Sequence, residues 1–255
     1  MSTPLLDIRN ASRRFGGLLA VDDFSGFVRR GERVGLIGPN GAGKTTLFNL
    51  ITGFTPLSSG TVRFDDAEVS HLKAYEIARL GVARTFQNLR VMPNLSVFDN
   101  VSIGALGALG HSPLTALLGR RKQADEISRR SWQAIERAGL QNQAGELAAN
   151  LSYGKRKYLE IARALALSPR LLILDEPAAG LNDTETAALA QFIRKLSEEG
   201  LTLLLVEHDM AFVMSLCERV MVMASGRKIA DGTPQEISRD PVVLEAYLGS
   251  AEEAA

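Results

Sequence analysis

The chain has 255 residues, and 45% of them are hydrophobic, enough to bury a substantial core and to argue against a disordered chain. Its 29 basic residues balance 29 acidic ones, so no broad basic face for DNA or RNA is expected. Cys217 is the only cysteine, which rules out an internal disulfide, suggests no metal cluster and fits a reducing compartment. The opening MSTPLLDIRNASRRF has no long apolar stretch behind a basic start, so no secretion signal is expected. Ile103 to Gly110 is small and apolar but short of the ~18 residues a membrane span needs, so any membrane role is expected to run through a partner.

In chain order, the first 30 residues and 61–69 alternate as strands of an antiparallel layer. VGLIG (34–38) reads as a buried strand, followed by a helix over roughly 43–53, and VARTF (82–86) as a strand ending at Gln87. From about 88 to 163 the strands stop. In QADEISRRSWQAIERAG (123–139), Ile127, Ser131, Ile135 and Ala138 share one helical face, which predicts an all-helical insert. LSYGK then opens a helix over 153–167, and LLILD (171–175) forms a strand. A helix over 183–199 leads to LTLLLVE (201–207), and SGRK (225–228) makes a hairpin between VMVMA (220–224) and IADG. Two short helices and a frayed SAEEAA fill 234–255. The fold class expected is α/β: a P-loop NTPase core, mainly a parallel sheet flanked by helices, with an N-terminal antiparallel β layer and an inserted all-helical subdomain. The expected division is a nucleotide-binding core over 1–88 and 164–233, a helical insert over 89–163 and a C-terminal helical tail over 234–255.

GPNGAGKT is a phosphate loop set between strand and helix: Gly38, Pro39, Asn40, Gly41, Ala42, Gly43, Lys44 and Thr45. Its glycines permit a turn that aims successive N–H groups inward, and the helix start adds partial positive charge. Lys44 would bridge the β- and γ-phosphates, Thr45 would offer its hydroxyl to Mg²⁺, and Thr46 would bond an α-phosphate oxygen. LLILDEP places Asp175 at the carboxyl end of a buried strand, where it would hold Mg²⁺ through its water shell. Glu176 is next, placed to polarise a water in line with the γ-phosphate. Gln87 and His208 each end a predicted strand. Each reads either as a cap or turn residue or as a ligand, Gln87 toward Mg²⁺ or the attacking water and His208 toward the γ-phosphate. Phe15 reads either as core or as an adenine-stacking ring.

The order phosphate loop, Gln87, LSYGK, LLILDEP, His208 resembles the ATP-binding cassette of ABC transporters over nearly the whole chain, as one ATP-binding domain over 1–255. LSYGK, Leu151, Ser152, Tyr153, Gly154 and Lys155, stands where that family usually has Leu-Ser-Gly-Gly-Gln. The resemblance implies two cassettes packed head to tail, identical or paralogous. Ser152 and Gly154 of one would contact the γ-phosphate held by the other. It also implies that Phe15 stacks on adenine, that Gln87 couples the site to the helical insert, and that His208 binds the γ-phosphate. AGLN, Ala179, Gly180, Leu181 and Asn182, takes the place of the loop that crosses the dimer interface, with Asn182 where the family usually has Asp. Tyr153 for Gly and Lys155 for Gln are the other departures.

RTFQNLRVMPNLSVFDNV, EPAAGLN, VEHDM and AYLG are similar to the cassettes of bacterial importers for branched-chain and related amino acids, in particular to the longer of their two cassettes. The same subfamily includes importers of urea and aromatic acids. The implied cofactors are ATP and Mg²⁺. The implied partners are a second cassette, two transmembrane permease subunits and, indirectly, a periplasmic solute-binding protein, with no nucleic acid. The implied location is peripheral, on the cytoplasmic face of the inner (plasma) membrane. The membrane subunit would touch Asn88 to Phe98, with Val91, Met92, Leu95 and Phe98 forming a groove for a short helix. Rival readings fit less well. Repair ATPases of the family carry long coiled coils and translation ATPases two cassettes per chain, a GTPase would carry Asn-Lys-x-Asp, and an ATP-binding module without hydrolysis would have no use for Glu176.

Overall fold

Alternation of apolar and polar residues near the start produces two long strands, β1 (Leu6–Phe15) and β2 (Leu18–Val28). The computed structural model describes residues 3–109 and 120–252, in two compact units, Met1–Ala74 with Ile193–Ala255 and Tyr75–Phe192. Gly110, the last residue of the small apolar stretch noted above, part of the insert and the final residues of the expected frayed end (253–255) lie outside the described residues.

In the first unit β1 pairs antiparallel with β2 and with β4 (Ser59–Phe64), and β5 (Ala67–Glu68) completes a sheet of order β2-β1-β4-β5. Leu6 faces Val28 on one side and Phe64 on the other, and all three are buried. This is the expected antiparallel layer. A parallel layer is built on β3 (Arg33–Ile37), which pairs with β8 (Thr202–Val206) and with β9 (Arg219–Ala224). These strands are near-continuous apolar runs because both faces are covered. β10 (Arg227–Gly232) returns antiparallel to β9 through Ser225 and Gly226, at φ 47° and 82°. Two positive φ angles in a two-residue turn match the right-handed twist of the strands it joins.

Helix α1 (Lys44–Ile51) follows β3 and buries Leu47, Phe48, Leu50 and Ile51. Asp209 caps α7 (Met210–Leu216) by accepting from the Phe212 N–H. A capping box of Thr233 and Glu236 starts α8 (Pro234–Ile237), and α9 (Pro241–Glu252) ends the described chain. Cys217 is buried, and burial pushes its thiol up to about 12.

The second unit begins near α2 (Ala74–Arg79) and contains β6 (Val82–Arg84), parallel to β7 (Leu171–Asp175). Helices α3 (Val97–Leu109), α4 (Arg120–Arg137) and α5 (Tyr153–Leu165) pack together, and α6 (Asp183–Glu198) starts here. On α4 the expected inward face holds: Ser131 and Ile135 are fully buried, Ala138 is buried just past the helix end, and Ile127 is half-buried. An isolated bridge, Ser96 to Leu147, lies among these helices. Among the described residues no helix is long and apolar enough to cross a membrane.

Where α3 meets α5 the main chains almost touch: a Cβ on Gly104 would sit 2.0 Å from the Arg163 carbonyl oxygen. A Cβ on Gly107 would meet only Leu167 Cδ2 at 3.5 Å, an ordinary contact. Replacing glycine by alanine inside a helix ordinarily gains about 1 kcal/mol. At Gly104 that gain is outweighed by a clash with main chain, at the upper end of the roughly 1–3 kcal/mol that overpacking typically costs. Gly104→Ala is therefore expected to lower the thermal midpoint and Gly107→Ala to hold or raise it, as measured by calorimetry of both variants.

Candidate active site

The phosphate loop belongs to the first unit and joins β3 to α1. Gly38, Gly41 and Gly43 all have positive φ, at 151°, 79° and 99°. A Cβ on Gly38 would lie 1.9 Å from the Met223 carbonyl oxygen, and one on Gly43 would lie 2.3 Å from that of Ala20. Gly41 faces open space. The loop is therefore walled by main chain at two points and free at its middle. Gly226 donates to the Ala42 carbonyl at 3.0 Å, so the β9–β10 turn braces it. The buried hydroxyl of Tyr247, on α9, lies against the Gly38 N–H; burial raises its pKa and this N–H lowers it. Lys44 is almost fully buried, and its ammonium donates to the Gly38 and Pro39 carbonyls at 2.7 and 3.0 Å. Gly43 gives α1 no side-chain cap, and Thr45 is exposed at the first turn. An uncapped helix start, a lysine and an open glycine face are the donor set a phosphate group requires.

Phe15 and His208 lie in the same unit. Phe15 closes β1, is 45% exposed, and carries the Arg13 guanidinium 4.5 Å from its ring centroid. An exposed ring with one face taken leaves the other for stacking. His208 follows β8; its Nδ1 is 3.9 Å from the carboxylate of the buried Glu207.

Gln87, Asp175, Glu176, the LSYGK signature segment (151–155) and 179–182 belong to the second unit. Asp175 ends β7, and its carboxylate pairs with Arg84 at 2.7 Å, both side chains being nearly inaccessible. Its N–H donates to Thr85 Oγ1 at 3.3 Å. Glu176 sits at φ 46°, a left-handed conformation that costs a non-glycine residue about 1–3 kcal/mol. Its carbonyl accepts from Lys157 Nζ at 3.2 Å and from the Ala179 N–H at 3.3 Å. Its carboxylate accepts from Gln87 Nε2 at 2.9 Å, so two residues singled out from sequence meet directly.

Ser152 caps α5 by accepting from the Lys155 N–H at 3.3 Å, and both side chains are exposed. Tyr153 bends onto the 179–182 loop. Its hydroxyl donates to the Ala179 carbonyl at 3.3 Å, and its ring lies so close to Gly180 that a Cβ there would be 2.9 Å from it. Gly154 is buried, and a Cβ on it would be 2.8 Å from Glu185 Oε1. Asn182 caps α6, its Oδ1 accepting from the Glu185 N–H at 2.9 Å.

Four residues were given no individual role from sequence: Arg84, Lys157, Glu160 and Tyr247. Lys157 and Glu160 did leave a sign, since both are charged positions within the stripe Gly154, Ile161, Ala164 that a helix buries. Burial raises the Glu160 carboxyl above the ordinary range, against the pull of the Phe86 and Arg90 N–H groups and of Arg163.

The sequence family described as ABC transporter matches residues 21–179. The chain belongs to the ABC transporter ATP-binding cassettes. A second family, described as branched-chain amino acid ATP-binding cassette transporter, matches residues 227–253, a range that includes Tyr247. The cassette is 44% identical over 257 residues to the high-affinity branched-chain amino acid transport ATP-binding protein LivG of Salmonella typhimurium, covering 98% of this chain and 100% of that protein. It is 42% identical to the corresponding BraF protein of Pseudomonas aeruginosa over 98% of this chain and all of that one. A solved ABC transporter cassette in its ADP conformation superposes with a TM-score of 0.85 at 30% identity, covering 97% of this chain and all of that one. Nucleotide binding and ATP hydrolysis thus come with the family.

Removing Arg84 would strand a buried carboxylate. Arg84→Met is expected to lower the unfolding free energy of the cassette by about 3–5 kcal/mol. Arg130→Met, which breaks a pair with Glu126 open to solvent, is expected to cost under about 1 kcal/mol. Urea unfolding of both variants checks the contrast.

Proposed function

We propose that this cassette powers an importer of branched-chain or related amino acids from the cytoplasmic face of the inner membrane. The observation that carries this reading is the match of its terminal segment, 227–253, to the branched-chain amino acid cassettes. The partners in this reading are a second cassette, identical or paralogous, two transmembrane permease subunits and, through them, a periplasmic solute-binding protein. Co-purification with the permease subunits, followed by ATPase assays across a panel of amino acids, urea and aromatic acids, tests it. Stimulation by urea or an aromatic acid alone would overturn the solute class.

In the proposed reaction a water attacks the γ-phosphorus of ATP, the bond to the β–γ bridging oxygen breaks, and ADP and phosphate leave. Glu176 polarises the water, and Gln87 holds the Glu176 carboxylate in its bonded orientation. Lys44 exchanges its two carbonyl partners for the β- and γ-oxygens, and His208 donates to the γ-phosphate. Gly38 to Thr46 cradle the triphosphate, and Phe15 stacks on adenine. Ser152 and Gly154 of the opposing cassette complete the γ-phosphate contacts, while Ala179 to Asn182 line the interface. Thr45, Gln87 and Asp175 would hold Mg²⁺. All three offer the hard oxygen ligands this ion prefers, and one Asp175 oxygen remains beside the Arg84 pair. When bound, the ion neutralises charge on the transferred group.

The permease is assigned to Asn88 to Phe98, the stretch that leads from Gln87 into α3. Met92 and Leu95 are exposed apolar side chains there. Asn100 holds their loop rigid, its Oδ1 accepting from the Met92 N–H at 2.8 Å and its Nδ2 donating to the Met92 and Ser96 carbonyls at 3.0 and 2.9 Å. A stiff apolar loop is a low-entropy docking surface.

Glu176→Gln should cut phosphate release by roughly 10²-fold or more while ATP binding persists and a dimer accumulates. Lys44→Ala should instead weaken nucleotide binding by roughly 10- to 100-fold, measured by calorimetric titration. Leu95→Asp should leave ATP affinity intact and abolish solute uptake in reconstituted vesicles. Equal loss of both would count against the docking assignment.

A further inference from the structure

Loop 86–90 carries Gln87 and is held mainly from α5. Glu160 side-chain exposure is 3%, and its Oε1 accepts from the Phe86 N–H at 3.3 Å and from the Arg90 N–H at 3.4 Å. Those two donors bracket Gln87. One turn earlier Lys157 holds the Glu176 carbonyl. One turn later Arg163 donates to the Arg90 carbonyl and stands 4.0 Å from Glu160. Three charges at i, i+3 and i+6 thus grip both partners of the Gln87–Glu176 bond. The path closes on itself: Glu160 to Phe86, Gln87 to Glu176, and Lys157 back to the same helix face.

We infer that Glu160 is a positioning residue for hydrolysis, fixing the 86–90 loop so that Gln87 stays on Glu176. The inference rests on the roles given above to Gln87 and Glu176. Glu160 is buried and acts through the two main-chain N–H groups. Its deletion should therefore reach turnover and leave nucleotide affinity alone. Because Arg90 directly precedes the apolar segment at 91–98, the same carboxylate also ties that segment to Gln87.

The test compares Glu160→Ala with Glu160→Gln in the full chain, reading amide exchange at Phe86 and Arg90 together with kcat and KM for ATP. Loss of two hydrogen bonds should speed exchange at both amides by about 10-fold and lower kcat by about 5- to 10-fold in Glu160→Ala, with KM changed less than about twofold. Glu160→Gln keeps an acceptor oxygen and should recover at least half of both effects. Should the alanine variant fail to fold, Glu160→Asp, one methylene short of the same donors, takes its place. Unchanged exchange at Phe86 and Arg90 overturns the inference, as does a loss confined to KM or a glutamine variant no better than alanine. Faster exchange with intact kcat would instead remove the role of Gln87 on which the inference stands.

Discussion

Main-chain crowding at the phosphate loop is the constraint on which the first unit is built. No side chain fits at Gly38 or Gly43, because carbonyl oxygens of Met223 and Ala20 occupy the space. At these two points the loop is fixed by main-chain contacts, and Lys44 and Tyr247 add side-chain contacts at Gly38 and Pro39. Its N–H groups need little rearrangement on meeting an anion, which is where preorganised dipoles are most effective. The bracing comes from late in the chain: Met223 lies near the end of β9, Gly226 in the β9–β10 turn and Tyr247 on α9. The segment that distinguishes the branched-chain subfamily therefore bears on the loop common to all phosphate-loop proteins.

In the second unit the organising feature is charge held out of water. Asp175 pairs with Arg84, and Glu160 lies among main-chain N–H groups beside Arg163. The left-handed conformation of Glu176 costs about 1–3 kcal/mol, and three hydrogen bonds worth about 1 kcal/mol each offset it. Those bonds come from Lys157, Ala179 and Gln87. The signature's departure from its family pattern finds its compensation here too. The Tyr153 ring occupies the space above Gly180, which has no Cβ and a φ of 80°. Ser152 beside it stays exposed.

The buried strands were legible because strands covered on both faces are written as unbroken apolar runs. The phosphate loop was legible because its chemistry demands glycines, a lysine and a hydroxyl at fixed spacing. Helices α2 and α7 were not, since a helix of six or seven residues is too short to show a period. Asn182 reads from its motif as an interface residue; in the structure it also caps α6, because a short side-chain carbonyl beside a helix start satisfies the free N–H groups there. Arg84 was invisible for a different reason. Its partner is 91 positions away, and only the parallel pairing of β6 with β7 brings the two together. A single sequence records which residues are charged and where apolar stripes run, but not which distant charge neutralises which.

In the proposed cycle the loop carrying Gln87 need not be flexible, because α5 holds it. From Gly154 to Arg163 the helix rises about 14 Å as a rigid rod. Its exposed start offers Ser152 and Lys155, while its inner face holds the Glu176 carbonyl and the two N–H groups around Gln87. Any displacement of the helix start must therefore carry the Gln87 loop with it, or break hydrogen bonds to a buried carboxylate. The second course leaves Glu160 without its acceptor role in a site shielded from water, which is the costlier outcome. Beyond Arg90 the chain runs directly into a segment that Asn100 pins at Met92 and Ser96. The stiffness of the three pieces in series makes a small shift at one end felt at the other, because packed elements move as bodies and do not absorb strain gradually.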